Sequence, residues 1–232
     1  MSLIELSDKE FRKVLRKLLG FKPGKLQLYK RAFIHKSATY VDHKNRVVNN
    51  ERLEFLGDAI LDAVVGDYVF RNFPTDNEGF LTKIRSRLVN ASTLYLMAKS
   101  LKLQELILIT EGTHVNKKYI CGDAVEALIG AIYLDKGFDK AYDFIVNRLL
   151  KLIDTQKIIT TEDNFKSLIL QYAQKKHINI SFSTEKKTKD TFVSILSLEG
   201  ENFKGEGPTK KEAEQKASEI AYKKLMSNEK KN

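Results

Sequence analysis

Five carboxylates in two short runs carry the chemistry of this chain. They are Glu51, Glu54 and Asp58 in NNERLEFLGDAIL, and Asp123 and Glu126 in GDAVEALIGAIYLD. An α-helix turns 100° per residue, so positions i, i+3 and i+7 fall within about 60° of one another and the first three share one face. Asp123 and Glu126, at i and i+3, share a face of a second helix. Both faces border apolar residues: Leu53, Phe55, Leu56 and Ile60 in the first run, Ala124, Val125, Leu128 and Ile129 in the second. Like charges gathered beside a core are costly unless something positive compensates them. No Lys or Arg lies at helical spacing within the second run. A hard divalent cation is the natural compensation, because carboxylate oxygens suit Mg²⁺. Two amphipathic helices with solvated acidic faces would give the same pattern. Its recurrence in a strongly basic chain favours a metal site.

The elements that must position these carboxylates are helices. Up to residue 153 apolar residues recur at three and four, as in Leu26, Tyr29, Ala32 and Phe33, or Leu81, Ile84, Leu88 and Val89. The N-terminal stretch is amphipathic, with Phe11, Val14, Leu15, Leu18 and Leu19 on one face. Its charges interrupt any signal-like apolar run. No strand alternation stands out before residue 153. Residues 154–161, inside the Thr-rich LIDTQKIITTED, read as a linker, and residues 162–230 follow a different grammar. The spacing there predicts a helix over 164–176, strands over 178–184, 190–198 and 201–207, and a last helix after Pro208. Thr209 is its expected N-cap, Glu212 completes a capping box, and Ala213, Ala217, Ile220, Ala221 and Leu225 form its buried stripe. The expected fold class is an all-α domain over residues 1–153 followed by a small α+β domain of order α-β-β-β-α.

The 232 residues carry 40 Lys+Arg against 30 Asp+Glu, a formal charge of +10. Residues 1–160 hold 26 basic and 19 acidic side chains, residues 161–232 hold 14 and 11, so the excess is spread over both parts. A polyanion partner fits this balance. A single cysteine, Cys121, excludes an internal disulfide and a cysteine-based zinc site, and its apolar surroundings mark it as core filler. No apolar run approaches membrane-spanning length, so a cytoplasmic protein without a membrane partner is expected.

NERLEFLGDA (50–59) resembles the signature of the ribonuclease III family, double-strand-specific endoribonucleases. AFIHKSATY (32–40) resembles that family's upstream histidine motif, FPTDNEGFLTKIRSRLVN (73–90) its EG-x-L segment, and GDAVEALIGAIYLDKG (122–137) its second acidic motif. GEGPTKKEAEQKA (205–217) resembles a double-stranded-RNA-binding domain. Five matches in the family's order cover most of the chain.

The resemblance implies that Glu54, Asp58, Asp123 and Glu126 bind Mg²⁺, with Mn²⁺ as a substitute, and that Asp58 and Glu126 are catalytic. Glu51 and Glu78 match acidic positions that assist cleavage, while Asp62 has no such role and is read as solvated. Hydrolysis of duplex RNA would leave 5′ phosphates, 3′ hydroxyls and short 3′ overhangs, in ribosomal RNA precursors and some messenger and transfer RNA precursors. No small-molecule substrate is expected. Cutting both strands implies a homodimer, with Phe55 docking into the partner subunit. Lys210 and Lys211, at the start of the last helix, match the phosphate clamp, and Gln171 a minor-groove contact.

The chain also departs from the pattern. EKKTKD (185–190) replaces the Gly-Pro-x-His loop, so Lys186, Lys187 and Lys189 offer only charge. Glu214 replaces a lysine, Leu170 a glutamine, and EGTHVNKKYICGD (111–123) lacks the usual Gly-Glu turn, which implies an altered loop. The alternative function is a non-catalytic double-stranded-RNA-binding protein; convergence of Asp123 and Glu126 on Glu54 and Asp58 would argue against it. A carboxylate-bridged di-iron site needs paired Glu-x-x-His motifs. Only Glu111 to His114 offers one, across Gly112, so that reading is discarded.

Overall fold

Ser7 starts the first helix: its hydroxyl accepts the Glu10 N–H and the Glu10 carboxylate accepts the Ser7 N–H, a reciprocal cap. The computed structural model describes residues 6–110, 112, 115–160, 165–188 and 190–229. Glu111, His114, Lys189 and the expected boundary residues 161–164 and 230 lie outside them. The chain divides into two compact units, residues 1–160 and 161–232.

In the first unit α1 (Asp8–Leu19) and α2 (Leu26–Ala32) lead into a 3₁₀ turn at Lys36–Ala38. A hairpin of two two-residue strands follows, β1 (Tyr40–Val41) and β2 (Val47–Val48). Then come α3 (Glu51–Asn72), α4 (Glu78–Val89), α5 (Ala91–Ser100), α6 (Lys117–Lys136) and α7 (Phe138–Phe144), which runs on through a π turn to Leu152. The hairpin is too short for strand alternation to reveal. Asn116 caps α6 by accepting the Lys118 N–H, so the helix starts inside the stretch expected to be an altered loop.

α6 is apolar nearly all round and sits centrally, with Ala124, Val125, Leu128, Ile129 and Ile132 fully buried. The same core holds Phe11 and Leu15 of α1, Tyr29 of α2, and Leu61, Val64 and Val65 of α3. Cys121 is buried in this core, as expected. The stretch expected to be a linker contains a helix, α8 (Thr155–Thr160). Ile158 and Ile159 pack on the core and Arg87 donates to the Ile159 carbonyl at 3.1 Å, so tertiary contact overrides the weak helix signals. Among the described residues no helix is long and apolar enough to cross a membrane.

The second unit is α9 (Phe165–Lys176), an antiparallel sheet of β3 (Ile180–Thr188), β4 (Thr191–Leu198) and β5 (Glu201–Gly207), and α10 (Lys210–Glu229). This is the expected α+β order. Ile169 and Ala173 of α9, Leu196, Leu198 and Phe203 of the sheet, and Ala217 and Ala221 of α10 form its core. Thr209 caps α10 by accepting the Glu212 N–H at 3.2 Å. Ile220, expected in the buried stripe, is 43% exposed. β3 continues through Glu185–Thr188, with an irregularity between Lys186 and Thr188, so most of the expected EKKTKD loop is strand.

Candidate active site

Each carboxylate owes its place to one helix crossing. α3 and α6 pack together more extensively than any other pair of helices. A β-carbon added at Gly57 would collide with the Glu126 carbonyl oxygen, and one at Gly130 with the Leu53 carbonyl oxygen. The two backbones therefore touch at the turns that carry the acids. Glycine at both positions is what permits the approach.

One carboxylate oxygen from each of Glu54, Asp123 and Glu126 lies within 4.8 Å of the others. Asp58, one turn after Glu54, lies outside that triplet and is exposed. Its charge is nonetheless the largest acting on Glu126. Burial, followed by repulsion from Asp58, Glu54, Asp123 and Asp62, pushes the Glu126 carboxyl up to about 8. Burial and the Asp123 charge raise Glu54; burial raises Asp123; burial and Asp62 raise Asp58. Asp62, read from sequence as solvated, is half-buried and belongs to the same acidic face.

Glu51 is fixed by Asn49, whose Nδ2 donates to its carboxylate at 2.9 Å, and its charge adds to that on Glu54. Glu78 joins no such cluster. It stands exposed at the start of α4, accepts the Thr82 hydroxyl, and is not among the larger charges on the four carboxylates.

Positive charge does reach the site, from another element. Exposed Lys36, in the turn before the hairpin, lowers both Glu54 and Asp123. Lys36 lies at helical spacing from neither acidic run and is close to the carboxylates only in three dimensions. Its sole sequence signal is its neighbour His35 in the histidine motif.

The donor set fits a hard divalent cation. Oxygens on opposite sides of a bound Mg²⁺ are about 4.2 Å apart, so three carboxylates gathered within 4.8 Å need only small movements to share one ion. The ion would also relieve the repulsion that raises their protonation.

In the second unit Lys210 and Lys211 are exposed on the first turn of α10, and Gln171 is exposed on α9. The strand lysines are partly committed elsewhere: Lys187 pairs with Glu206 at 3.2 Å and Lys186 lies over the Phe192 ring. Glu214, the residue that replaces a lysine, accepts from Lys166 at 2.6 Å and ties α9 to α10. Phe55, on α3 beside Glu54, is 82% exposed.

Residues 25–153 match the family model described as Ribonuclease-III-like, and residues 165–225 match the double-stranded RNA binding motif. Ribonuclease 3 of Phocaeicola vulgatus is 40% identical over 230 residues, covering 96% of this chain and 75% of that protein. Ribonuclease 3 of Chlorobaculum tepidum is 36% identical, covering 92% and 82%. The nuclease domain of ribonuclease III from Campylobacter jejuni superposes with a TM-score of 0.54 at 39% identity, covering 61% of this chain and 97% of that one. That domain is described as flexible in a region involved in dimer formation.

Proposed function

The chain belongs to the ribonuclease III family, an endoribonuclease acting on double-stranded RNA, and from that premise we propose a Mg²⁺-dependent phosphodiesterase whose metal site is Glu54, Asp58, Asp123 and Glu126. The observation that carries this reading is the convergence of Glu54, Asp123 and Glu126 at the α3–α6 crossing. A divalent cation held there would supply activation of water against the scissile phosphate and stabilisation of the leaving 3′ oxygen. The chain's own residues hold and orient it. Glu54, Asp123 and Glu126 would hold it through one carboxylate oxygen each. Asp58 stands at the rim beside Glu126, and the two are the catalytic pair. Glu51, fixed by Asn49, keeps the N-terminal edge of the site negative. Glu78 assists from the start of α4, outside the cluster. Lys36 offers a cation to the RNA backbone at the same edge.

The second unit holds the duplex by shape and phosphate charge, through Lys210, Lys211 and Gln171. A single acidic cluster cuts a single strand, so the active enzyme is a homodimer. Phe55, exposed on α3 beside Glu54, stands where the family's aromatic residue docks into the partner subunit. The dimer region described for the Campylobacter jejuni enzyme is consistent with this. The products carry 5′ phosphates, 3′ hydroxyls and short 3′ overhangs. The substrates are ribosomal RNA precursors and some messenger and transfer RNA precursors, cut in the cytoplasm.

The test is cleavage of an end-labelled duplex beside a single-stranded control, in Mg²⁺, Mn²⁺ and EDTA. Cutting of the duplex alone, in either cation and not in EDTA, is expected. Cutting in EDTA would overturn the metal site.

A further inference from the structure

His35 is 1% exposed, yet among the described residues its Nε2 has no hydrogen-bond partner. The other ring nitrogen is committed twice. The Ser37 backbone N–H donates to Nδ1 at 3.1 Å, and the Ser37 hydroxyl lies 2.9 Å from it. A backbone amide can only donate, so Nδ1 is an acceptor and the neutral ring carries its proton on Nε2. The ring thus presents a buried N–H donor, and a bare donor in a protein interior requires an explanation.

The backbone around the ring is stapled on three sides. The His35 N–H donates to the Leu108 carbonyl at 3.0 Å, the Asn50 N–H donates to the Ile34 carbonyl at 2.8 Å, and the Thr110 hydroxyl donates to the Ser37 carbonyl at 2.6 Å. The His35 turn is therefore fixed to the N-terminus of α3, the helix that brings Glu51 and Glu54. The negative charges acting on the ring are Asp123 and Glu51. Asn50, the 1% exposed residue before Glu51, also has a side-chain amide without a partner among the described residues.

We propose that His35 is a positioning residue: in the cation-bound enzyme its Nε2–H donates to the Asp123 carboxylate and fixes the orientation in which that carboxylate meets the metal. Ligating carboxylates are commonly held by such outer hydrogen bonds, and loss of one costs about 10- to 100-fold in metal affinity. His35 is not itself a ligand, because Nδ1 is held by Ser37 and Nε2 carries the proton. The inference rests on the metal site proposed above and names a residue that site does not include.

The test is direct binding of Mn²⁺ to the full-length protein without RNA, followed by electron paramagnetic resonance, with thermal unfolding in EDTA measured alongside. The wild type, His35→Leu and His35→Gln are compared. A glutamine amide places an N–H near the position of Nε2 but cannot reproduce the Nδ1 bonds to Ser37. The expected result is Mn²⁺ affinity weakened by about 10-fold or more in His35→Leu and largely restored in His35→Gln. A purely structural role would lower the unfolding temperature of both variants and leave their Mn²⁺ affinities alike; that outcome overturns the inference. So does unchanged affinity in His35→Leu. Failure of the wild type to bind Mn²⁺ would instead overturn the metal site itself.

Discussion

Glu126 is the residue at which burial and charge conflict most. Its carboxyl feels the charges of four other acids and is pushed from 4.5 up to about 8, first by burial and then by Asp58. Between these values the unfolded chain releases a proton that the folded chain retains. In the metal-free protein this group's stabilising contribution is therefore complete below 4.5 and is lost as pH rises through about 8. Urea midpoints measured in EDTA across that range should fall more steeply for the wild type than for Glu126→Gln, and Mg²⁺ should reverse the fall. Parallel pH profiles for the two proteins would show that Glu126 titrates normally. The acids themselves were legible in the sequence because i, i+3 and i+4 spacing is a local property of one helix. That Asp58 stands outside the tight triplet was not, since spacing gives a face and not a distance.

At the scale of elements, the site exists because α3 and α6 cross at glycines. Gly57→Ala sets a methyl group against the Glu126 carbonyl and should cost about 1–3 kcal/mol or more, with loss of cleavage, because the crossing must open. Gly66→Ala, on the same helix, meets only the Arg85 Cδ at 3.9 Å. It should be neutral or stabilising by up to about 1 kcal/mol. Urea denaturation of both variants checks this, and equal costs would contradict a close crossing. Helices of three turns or more, and the α-β-β-β-α order, could be read from periodicity and caps. What stayed hidden depends on partners distant in sequence. The mid-helix glycines lack a local signal of what they touch. The β1–β2 hairpin is too short for alternation, and α8 forms only because Ile158 and Ile159 find the core. β3 runs on into the lysine-rich stretch because pairing with β4 holds Glu185 and Lys186 in register with Val193 and Phe192.

At the scale of the whole molecule, the proposed catalytic carboxylates and the proposed phosphate clamp lie in separate compact units. Replacing Lys210 and Lys211 with glutamine should weaken duplex binding uniformly across sequences. It should also reduce the slope of log affinity against log salt by about 1 for each phosphate no longer neutralised. Cleavage should persist at low salt and high enzyme concentration, because no carboxylate is touched. An unchanged salt slope would remove both lysines from the interface. The central claim is that the α3–α6 carboxylates hold the ion that cuts RNA, and it is tested most directly by comparing wild type with Glu126→Gln for duplex binding and for cleavage in Mg²⁺. The predicted result is unchanged binding with cleavage reduced by more than the about 100-fold that loss of an outer hydrogen-bond partner costs. Cleavage at the wild-type rate by Glu126→Gln, or binding by the wild type in Mg²⁺ without any cleavage, would contradict it.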